Sequence, residues 1–450
     1  MSSVRSAPVA IIGGGFSGTV LGAQLARRGI GSIVIEGGGR AGRGTAYSTA
    51  EPAHLLNIPA ERMSAWPSEP DDFTKLFEAQ GGSGHDFAER RLYGSYLSAI
   101  LDEAVASGHV RIVNAAALAA KREGGTWHLA LDDGTRVEAG SLTLAIGNQE
   151  PEALKGFEHV GERFVANPWG EAAARAIAAL ADSGQDALII GTGLTMVDLA
   201  LSLDAAGHRG RIIAMSRRGQ LPRSSVFSDA PKLEVGVDEL TLGDLRSLAR
   251  WLRERSAHSG WRNAVDSLRP HSHRIWGSLN IDQQRRFMRH ARAWWDVHRH
   301  RLAPQVGATI ARMIGEGRLE IMSARLVAVE DREDGFNVRY RRRGGSEVGE
   351  LEAGFAFNST GPLHAISHTG DPLLRSLMES GVARPDALDI GVLVDERSRV
   401  CGSERLWALG ALSKGRYWEI IAVPDIRGQV AAVAEDIAGE LASATEPAGK

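Results

Sequence analysis

Two sets of closely spaced glycines are the residues best suited to chemistry, and each is tied to polar residues a short way downstream. Gly13, Gly15 and Gly18 stand in G-x-G-x-x-G spacing directly after the apolar run Val9-Ala10-Ile11-Ile12. In that pattern the first glycine permits a tight turn, the second lets a pyrophosphate approach the backbone, and the third lets a helix lie close to a strand. A helix beginning there turns free N–H groups and the positive end of its dipole toward phosphates. Glu36 closes the next apolar run, Ile33-Val34-Ile35, where an acid accepts hydrogen bonds from ribose hydroxyls. Gly191 and Gly193 repeat the arrangement after Asp186–Ile190, with Met196 where the third glycine would stand. The strand that follows ends in Ser216-Arg217-Arg218 and carries no acid. Losing the carboxylate removes repulsion, and the arginines supply donors for a 2′-phosphate. The first site therefore suits an unphosphorylated ribose and the second suits NADPH over NADH. The alternative for the second is a degenerate domain whose arginines form surface pairs. Met196 predicts looser packing of helix on strand there.

Other candidates are scattered. His54 and Asn57 fall in one loop and could present donors to one ligand, or bond their own turn. Lys414, Arg416, Tyr417, Trp418 and Glu419 share a C-terminal loop. Arg416 or Lys414 could clamp an anion and Trp418 could stack on a planar ring; solvated cations and a packed indole are the alternatives. His298 and His300 read as helix surface. No nucleophilic triad, metal cluster or phosphate-binding P-loop stands out. Cys401 is the only cysteine, so the protein has no dithiol to receive a hydride, and electrons must pass to oxygen, a small molecule or a partner.

The elements that must position these residues are strands, glycine turns and helices in a repeated order. The first unit reads as a strand at Val9–Ile12, a helix, a strand ending at Glu36, and an irregular stretch to about Asp71. A helix at Leu92–Ser107 and short strands at Val110–Val113, Thr126–Leu131 and Leu142–Ala145 complete it, closing on Gly147. The second runs from Asp186–Ile190 through a helix to Arg211–Met215, then Leu319–Ile321, Leu326–Glu330 and Phe336–Arg342, closing on Gly361. The second unit is longer, and the excess is assigned to a helical insertion at 238–317, dense in Arg, His and Trp. The expected fold is α/β, with two Rossmann-like dinucleotide-binding domains, β-meanders and that insertion. The domain reading is 1–155, then 156–355, then a return of 356–450 to the first domain through a strand at Leu406–Leu409 and a helix from about Pro424. The tail SATEPAGK is expected to fray.

At 450 residues the chain exceeds the usual size of one core. A net charge of −3, with 43% hydrophobic and 24% charged residues, gives no bulk attraction to nucleic acid or to membranes. No run of 18 apolar residues suggests a membrane span. With no signal-peptide pattern and one cysteine, a cytoplasmic protein is expected, acting on a small molecule and forming, as one option, a homo-oligomer.

Two dinucleotide folds in one chain suggest FAD plus a nicotinamide. The segments GGGFSG (13–18), GRGTAYST (42–49), HLLNIPAERMS (54–64), GTGLTMVD (191–198), SRRGQLPR (216–223), WDVHRHR (295–301), STGP (359–362) and WEIIAVPDIRGQ (418–429) resemble the bacterial FAD/NAD(P)-binding monooxygenases. That group includes FAD-dependent urate hydroxylase and the aspartate-oxidising nitrosuccinate synthases. The resemblance implies that Arg43, Gly44 and Thr45 wrap the pyrophosphate and flavin ring, and that Met63 and Ser64, with His54 and Asn57, lie beside the flavin. It adds Gly147, Gly361, Gly410 and Pro424 to the cofactor-binding set, with the last helix's positive end toward the flavin. It places His54, Asn57, Arg416, Trp418 and Glu419 at the reaction. The implied activity is NAD(P)H- and O2-dependent hydroxylation of a small anionic metabolite through a flavin hydroperoxide. Urate is the leading substrate, an amino-acid amine the alternative, and a reductase without oxygenation the further option.

Overall fold

The computed structural model describes residues 4–226 and 233–445; the last five residues of the tail expected to fray lie outside that range. The first unit opens with β1 (Val4–Ile12), α1 (Phe16–Ala26), β2 (Ser32–Ile35), a single turn α2 (Gly44–Tyr47), α3 (Asp72–Glu78) and α4 (Arg90–Ala106). It continues through β3 (Val110–Val113), β4 (Ala117–Glu123), β5 (Thr126–Leu131) and β6 (Arg136–Leu144). The second unit holds β7 (Phe164–Val165), α5 (Glu171–Ser183), β8 (Ala187–Ile190), α6 (Leu194–Ala205) and β9 (Ile212–Ser216). The insertion follows as α7 (Leu245–Ser259), α8 (Trp261–Ser267), α9 (Ser272–Ser278), α10 (Ile281–Arg286) and, after a π-turn at Phe287–Ala291, α11 (Arg292–Arg299). Then come α12 (Pro304–Gly315), β10 (Leu319–Arg332), β11 (Gly335–Arg342), β12 (Val348–Ala353), β13 (Phe355–Asn358), α13 (Pro372–Glu379), β14 (Leu406–Ala408) and α14 (Val423–Thr445).

Two sheets organise these elements. In the first, β3, β2, β1 and β6 run parallel, β14 joins the end of β6 in parallel, and β5 and β4 add an antiparallel meander to the start of β6. In the second, β10, β9, β8, β13 and β7 are parallel, and β11 and β12 form the meander. The chain thus leaves the first sheet after β6 and returns to it with β14; β13, through Asn358, pairs with β8 in the second. The duplication read from the glycines is therefore carried by the sheets as well. The breaks fall differently in the two copies. The strands expected at Leu319–Ile321 and Leu326–Glu330 are one strand, β10, whose first half pairs β9 and whose second half pairs β11, with an irregularity between Leu326 and Ala328. Conversely β6 is continuous where its counterpart is split at Gly354. The inner strands are apolar on both faces because both sides are covered: by α1, α4 and α14 on one face of the first sheet, and by the β4–β5 meander with α13 on the other.

The two glycine turns fold alike for one physical reason. Gly13 and Gly191 have φ of +102° and +121°, and a Cβ on either would sit within 2.4 Å of a carbonyl oxygen of the neighbouring strand's end, Ala145 or Ser359. Gly18 is required by contact instead, since its Cβ would lie 1.8 Å from the Gly13 oxygen. Met196 corrects the expectation of loose packing. Its side chain is fully buried in the core with Ile189 and Phe357, so α6 is closely packed there without a third glycine.

Candidate active site

At the first turn, Gly15 caps α1 with no side chain bonded to the helix's free N–H groups, which leaves them open to an anion. Glu36 accepts from the Gly14 N–H at 2.7 Å and the Gly38 N–H at 2.8 Å, so the carboxylate expected to meet a ribose also shapes the turn. The loop carrying Arg43, Gly44 and Thr45 folds back over this turn. The Gly42 N–H donates to the Gly14 oxygen at 2.8 Å, and a Cβ on Gly44 would approach Gly15 to 2.8 Å. Arg43 and Thr45 are exposed, and Arg43 Nε donates to Ser98 Oγ at 3.1 Å. The far rim is the turn at Gly410. Its N–H donates to Gln429 Oε1 at 2.8 Å, and the Gln429 amide donates in turn to Ser398 and Ser413. Gln429 fell within the quoted C-terminal segment but was not singled out. Residue type alone does not mark an amide that locks a loop.

The second turn is less saturated. Thr192 Oγ1 donates to the Gln220 oxygen at 2.6 Å and lies 2.9 Å from Ser216 Oγ, which accepts from the Gly219 N–H. Ser216 therefore shapes the turn. Gly193 caps α6 without a side-chain partner, and a Cβ on it would meet nothing within 4 Å. Arg217 is exposed, and no ion pair is found for it among the described residues. Arg218 Nη1, both ends of the Gln220 amide and Ser359 Oγ are buried without partners. Buried polar groups are normally satisfied, so these orphans, one of them on Ser359 beside Gly191, with two adjacent arginines and no carboxylate at the end of β9, fit a nicotinamide dinucleotide with a 2′-phosphate. Gln220, two residues past Arg218, was missed by sequence reasoning; the contiguous SRRGQ run was the available signal. Gly147 and Gly361 close the two units with φ of +79° and +92° and open space where a Cβ would be.

A buried charge network joins the insertion to the C-terminal loop. Glu419, 3% exposed, accepts from Trp295 Nε1 at 2.6 Å, Arg299 Nε at 2.9 Å and Ser272 Oγ at 3.3 Å. Burial works to raise its pKa, but Arg299, His300 and these donors prevail and hold it below the usual carboxylate value. Arg269 pairs with Asp425, in the first turn of α14, at 3.5 Å. Burial, with Arg62 and Arg299 nearby, lowers Arg269 to about 10, and burial with Arg299 also lowers Arg62. Lys414 Nζ donates to Asn148 Oδ1 at 3.0 Å, and burial with the neighbouring Arg292 brings it down to about 8.

Several expected roles are corrected by these positions. His54 is buried. Its Nε2 donates to the Asp198 carbonyl at 2.9 Å and its Nδ1 accepts from Thr49 Oγ1 at 2.8 Å, so the ring pins the first unit's loop to α6 and has no free nitrogen for a flavin. Arg90 reinforces this joint through Asp198 at 2.9 Å. Met63 is a core side chain at 2% exposure. Ser64 Oγ closes its own turn onto the Glu69 oxygen at 2.6 Å. Arg416 is exposed and faces Glu396 at 3.8 Å, so Lys414 is the cation of that loop that points inward. Glu419 has both oxygens engaged and acts as an anchor. Trp418 stacks on Trp276, ring centroids 4.9 Å apart, and so packs against the insertion. Pro424 does open α14, beside Asp425. Asn57 alone of that loop's candidates is half-buried with no hydrogen-bond partner found among the described residues. His298 Nδ1 donates to the Trp294 oxygen at 2.7 Å, and the described residues hold no cluster suited to a metal ion.

His300 gives the site a pH-sensitive joint. Burial, with Arg299 beside it, lowers its pKa from 6.5 to about 4. A histidine held neutral stabilises the fold above its unfolded pKa, and that stabilisation is lost as pH falls from about 6.5 toward 4. The unfolding free energy from urea titrations is expected to fall across that window by roughly 3 kcal/mol, and the fall is expected to flatten in His300→Gln. An equally steep fall in the variant would remove His300 as the cause.

Residues 10–149 match the model of an FAD-NAD(P)-binding family. Along nearly its whole length the chain is similar to the ornithine hydroxylase of Pseudomonas aeruginosa, with 14% identity, 97% of this chain and 100% of that one covered, and a TM-score of 0.66. It is also similar to the L-lysine 6-monooxygenase of Pseudomonas syringae, with 17% identity, 98% and 100% covered, and a TM-score of 0.66. The T. acidophilum thioredoxin reductase aligns with 13% identity over 97% and 99% of the chains at a TM-score of 0.56. No curated protein sequence matches. The fold is that of the FAD/NAD(P)-binding flavoproteins, and no helix among the described residues is long and apolar enough to cross a membrane.

Proposed function

We propose that the protein is an FAD-dependent, NAD(P)H-consuming monooxygenase that hydroxylates the nitrogen of a small amine carrying an anionic group. The observation that carries this reading is a fold likeness to ornithine and lysine monooxygenases running through the insertion to the C-terminal helix, in a chain whose single cysteine rules out the dithiol of a disulfide reductase. FAD, when bound, takes a hydride from the nicotinamide and activates dioxygen. The chain's part is to hold the two dinucleotides, exclude water and prepare the amine. The guanidinium-rich junction of Arg62, Arg269 and Arg299 suits an anionic group. Lys414 Nζ, poised near pH 8, can exchange the proton that an ammonium must lose before it is nucleophilic. The domain division, at about 155 and, instead of 356, just past Asn358 where β13 leaves the second sheet, a cytoplasmic setting and a homo-oligomer belong to the same proposal. Urate is the second reading, because the arginines would also suit its anion.

The test is to purify the yellow holoprotein and follow NADPH and oxygen consumption with ornithine, lysine, aspartate, tryptophan and urate. Oxygen uptake stimulated by an amine, with a product heavier by one oxygen, is expected. Stimulation by urate alone would move the chemistry to carbon. Flavin reduction without stimulated uptake would make the protein a reductase.

A further inference from the structure

The insertion and Trp418 of the C-terminal loop line a half-open cavity of about 520 Å³ outside the groups described so far. One wall is α7, whose Leu245, Leu248, Leu252 and Ser256 follow one another at helical spacing along a single face. An apolar stripe of this kind normally enters a core, yet no residue of α7 is buried; the stripe faces the cavity. Opposite it stand tryptophans, Trp261, Trp276, Trp294, Trp295 and Trp418. Two are fixed by their indole nitrogens, which point away from the space: Trp276 Nε1 donates to the Gly415 oxygen at 2.9 Å and Trp295 Nε1 to Glu419. Trp418 is held between Trp276 and the edge of Phe287, centroids 4.9 and 5.3 Å away. Trp276, Trp295 and Trp418 are thus held aromatic faces, while Trp294 is 53% exposed. Cavities of this size that take small molecules are mostly apolar with a few polar groups. Here the charged or titratable lining groups are Arg253 and His298, and no carboxylate is among them; a cation would meet the aromatic faces but no counter-charge, and Arg253 would repel it, whereas an anion gains from Arg253. The cavity also backs onto the active site. Ser272, Trp295 and Trp418 line it while Ser272 and Trp295 hold Glu419, and Arg299, on the same carboxylate, stands beside Arg269 and Arg62.

We propose that this cavity binds a planar aromatic group on a neutral or anionic molecule, and that the molecule is the substrate; the second half rests on the monooxygenase reading. Aromatic faces stack a flat ring with offset or edge contacts, and the arginine junction lies beyond the wall for its anionic end. Calorimetry on the holoprotein with naphthalene-2-carboxylate, naphthalen-2-ylmethylammonium and cyclohexanecarboxylate tests the cavity without turnover. The aromatic carboxylate is expected to bind at least ten-fold more tightly than either of the others. Ser256→Trp and Ala249→Trp, which fill the space from the surface helix α7, are each expected to weaken it at least ten-fold, compared at equal flavin content. No binding to the unaltered protein, or equal binding in both variants, overturns the site. So does sedimentation showing that copies associate through this face and separate in Leu248→Asp while the carboxylate fails to bind. In the oxygen-uptake assay tryptophan is expected to exceed ornithine and lysine. Uptake with those two and none with tryptophan overturns the substrate half and leaves the monooxygenase reading standing. A protein that binds the aromatic carboxylate but carries no FAD overturns the monooxygenase reading and leaves the cavity.

Discussion

Glu419→Ala is expected to cost about 3–5 kcal/mol of stability, the effect of leaving one partner of a buried ion pair alone. Arg299 has 6% of its side chain exposed, so without Glu419 its charge would stay in a low-dielectric setting with like charges on Arg269 and Arg62. Trp295 and Ser272 would lose their acceptor at the same time. Glu419→Gln keeps an acceptor for Trp295 and is expected to cost less. Arg416→Ala, on an exposed pair, should stay within about 0.5 kcal/mol. Urea midpoints at unchanged slope measure all three. A Glu419→Ala midpoint equal to that of Arg416→Ala would show that the network does not hold the loop. The sign with pH follows from the lowered carboxylate pKa: the contribution is complete above the unfolded value of about 4.5 and is lost as pH falls through the folded one.

The double substitution Arg217→Ala/Arg218→Ala is expected to raise the KM for NADPH about 100-fold, roughly 2.7 kcal/mol, while changing that for NADH less than three-fold. The arithmetic is that of two charge-assisted hydrogen bonds to a 2′-phosphate. It is supported by Arg218 Nη1 lacking a partner. Steady-state kinetics with both nucleotides decide it. Equal effects on the two would mean that the arginines serve the fold, the alternative open from their sequence.

The glycine turns were readable because their constraint is local. A left-handed turn beside a strand end admits few residues, so Gly13 and Gly191 announce themselves, and apolar runs flanking them announce buried parallel strands. The strands of the meanders were less legible. β4 and β12 have half-exposed, mixed sequences, and their pairing depends on neighbours distant in the chain. His54 shows the same limit in the site. As a histidine in a loop near Asn57 it invited a catalytic role; Nδ1 is spent locally on Thr49, and only the contact of Nε2 with Asp198 and Ser202, far along the chain, spends the other nitrogen.

The sequence by itself determined two dinucleotide folds and the absence of a protein dithiol, and it raised the expectation that the acid-tipped strand serves one cofactor and the Ser-Arg-Arg strand the other. Each follows from residue types at short spacing. The tertiary structure decided which cations face inward, that Glu419 is an anchor and Trp418 a wall, and that the insertion's tryptophans surround a cavity instead of filling a core. Those outcomes depend on segments separated by more than a hundred residues meeting in space, as Trp295 and Arg299 meet Glu419, and no local pattern encodes such a meeting.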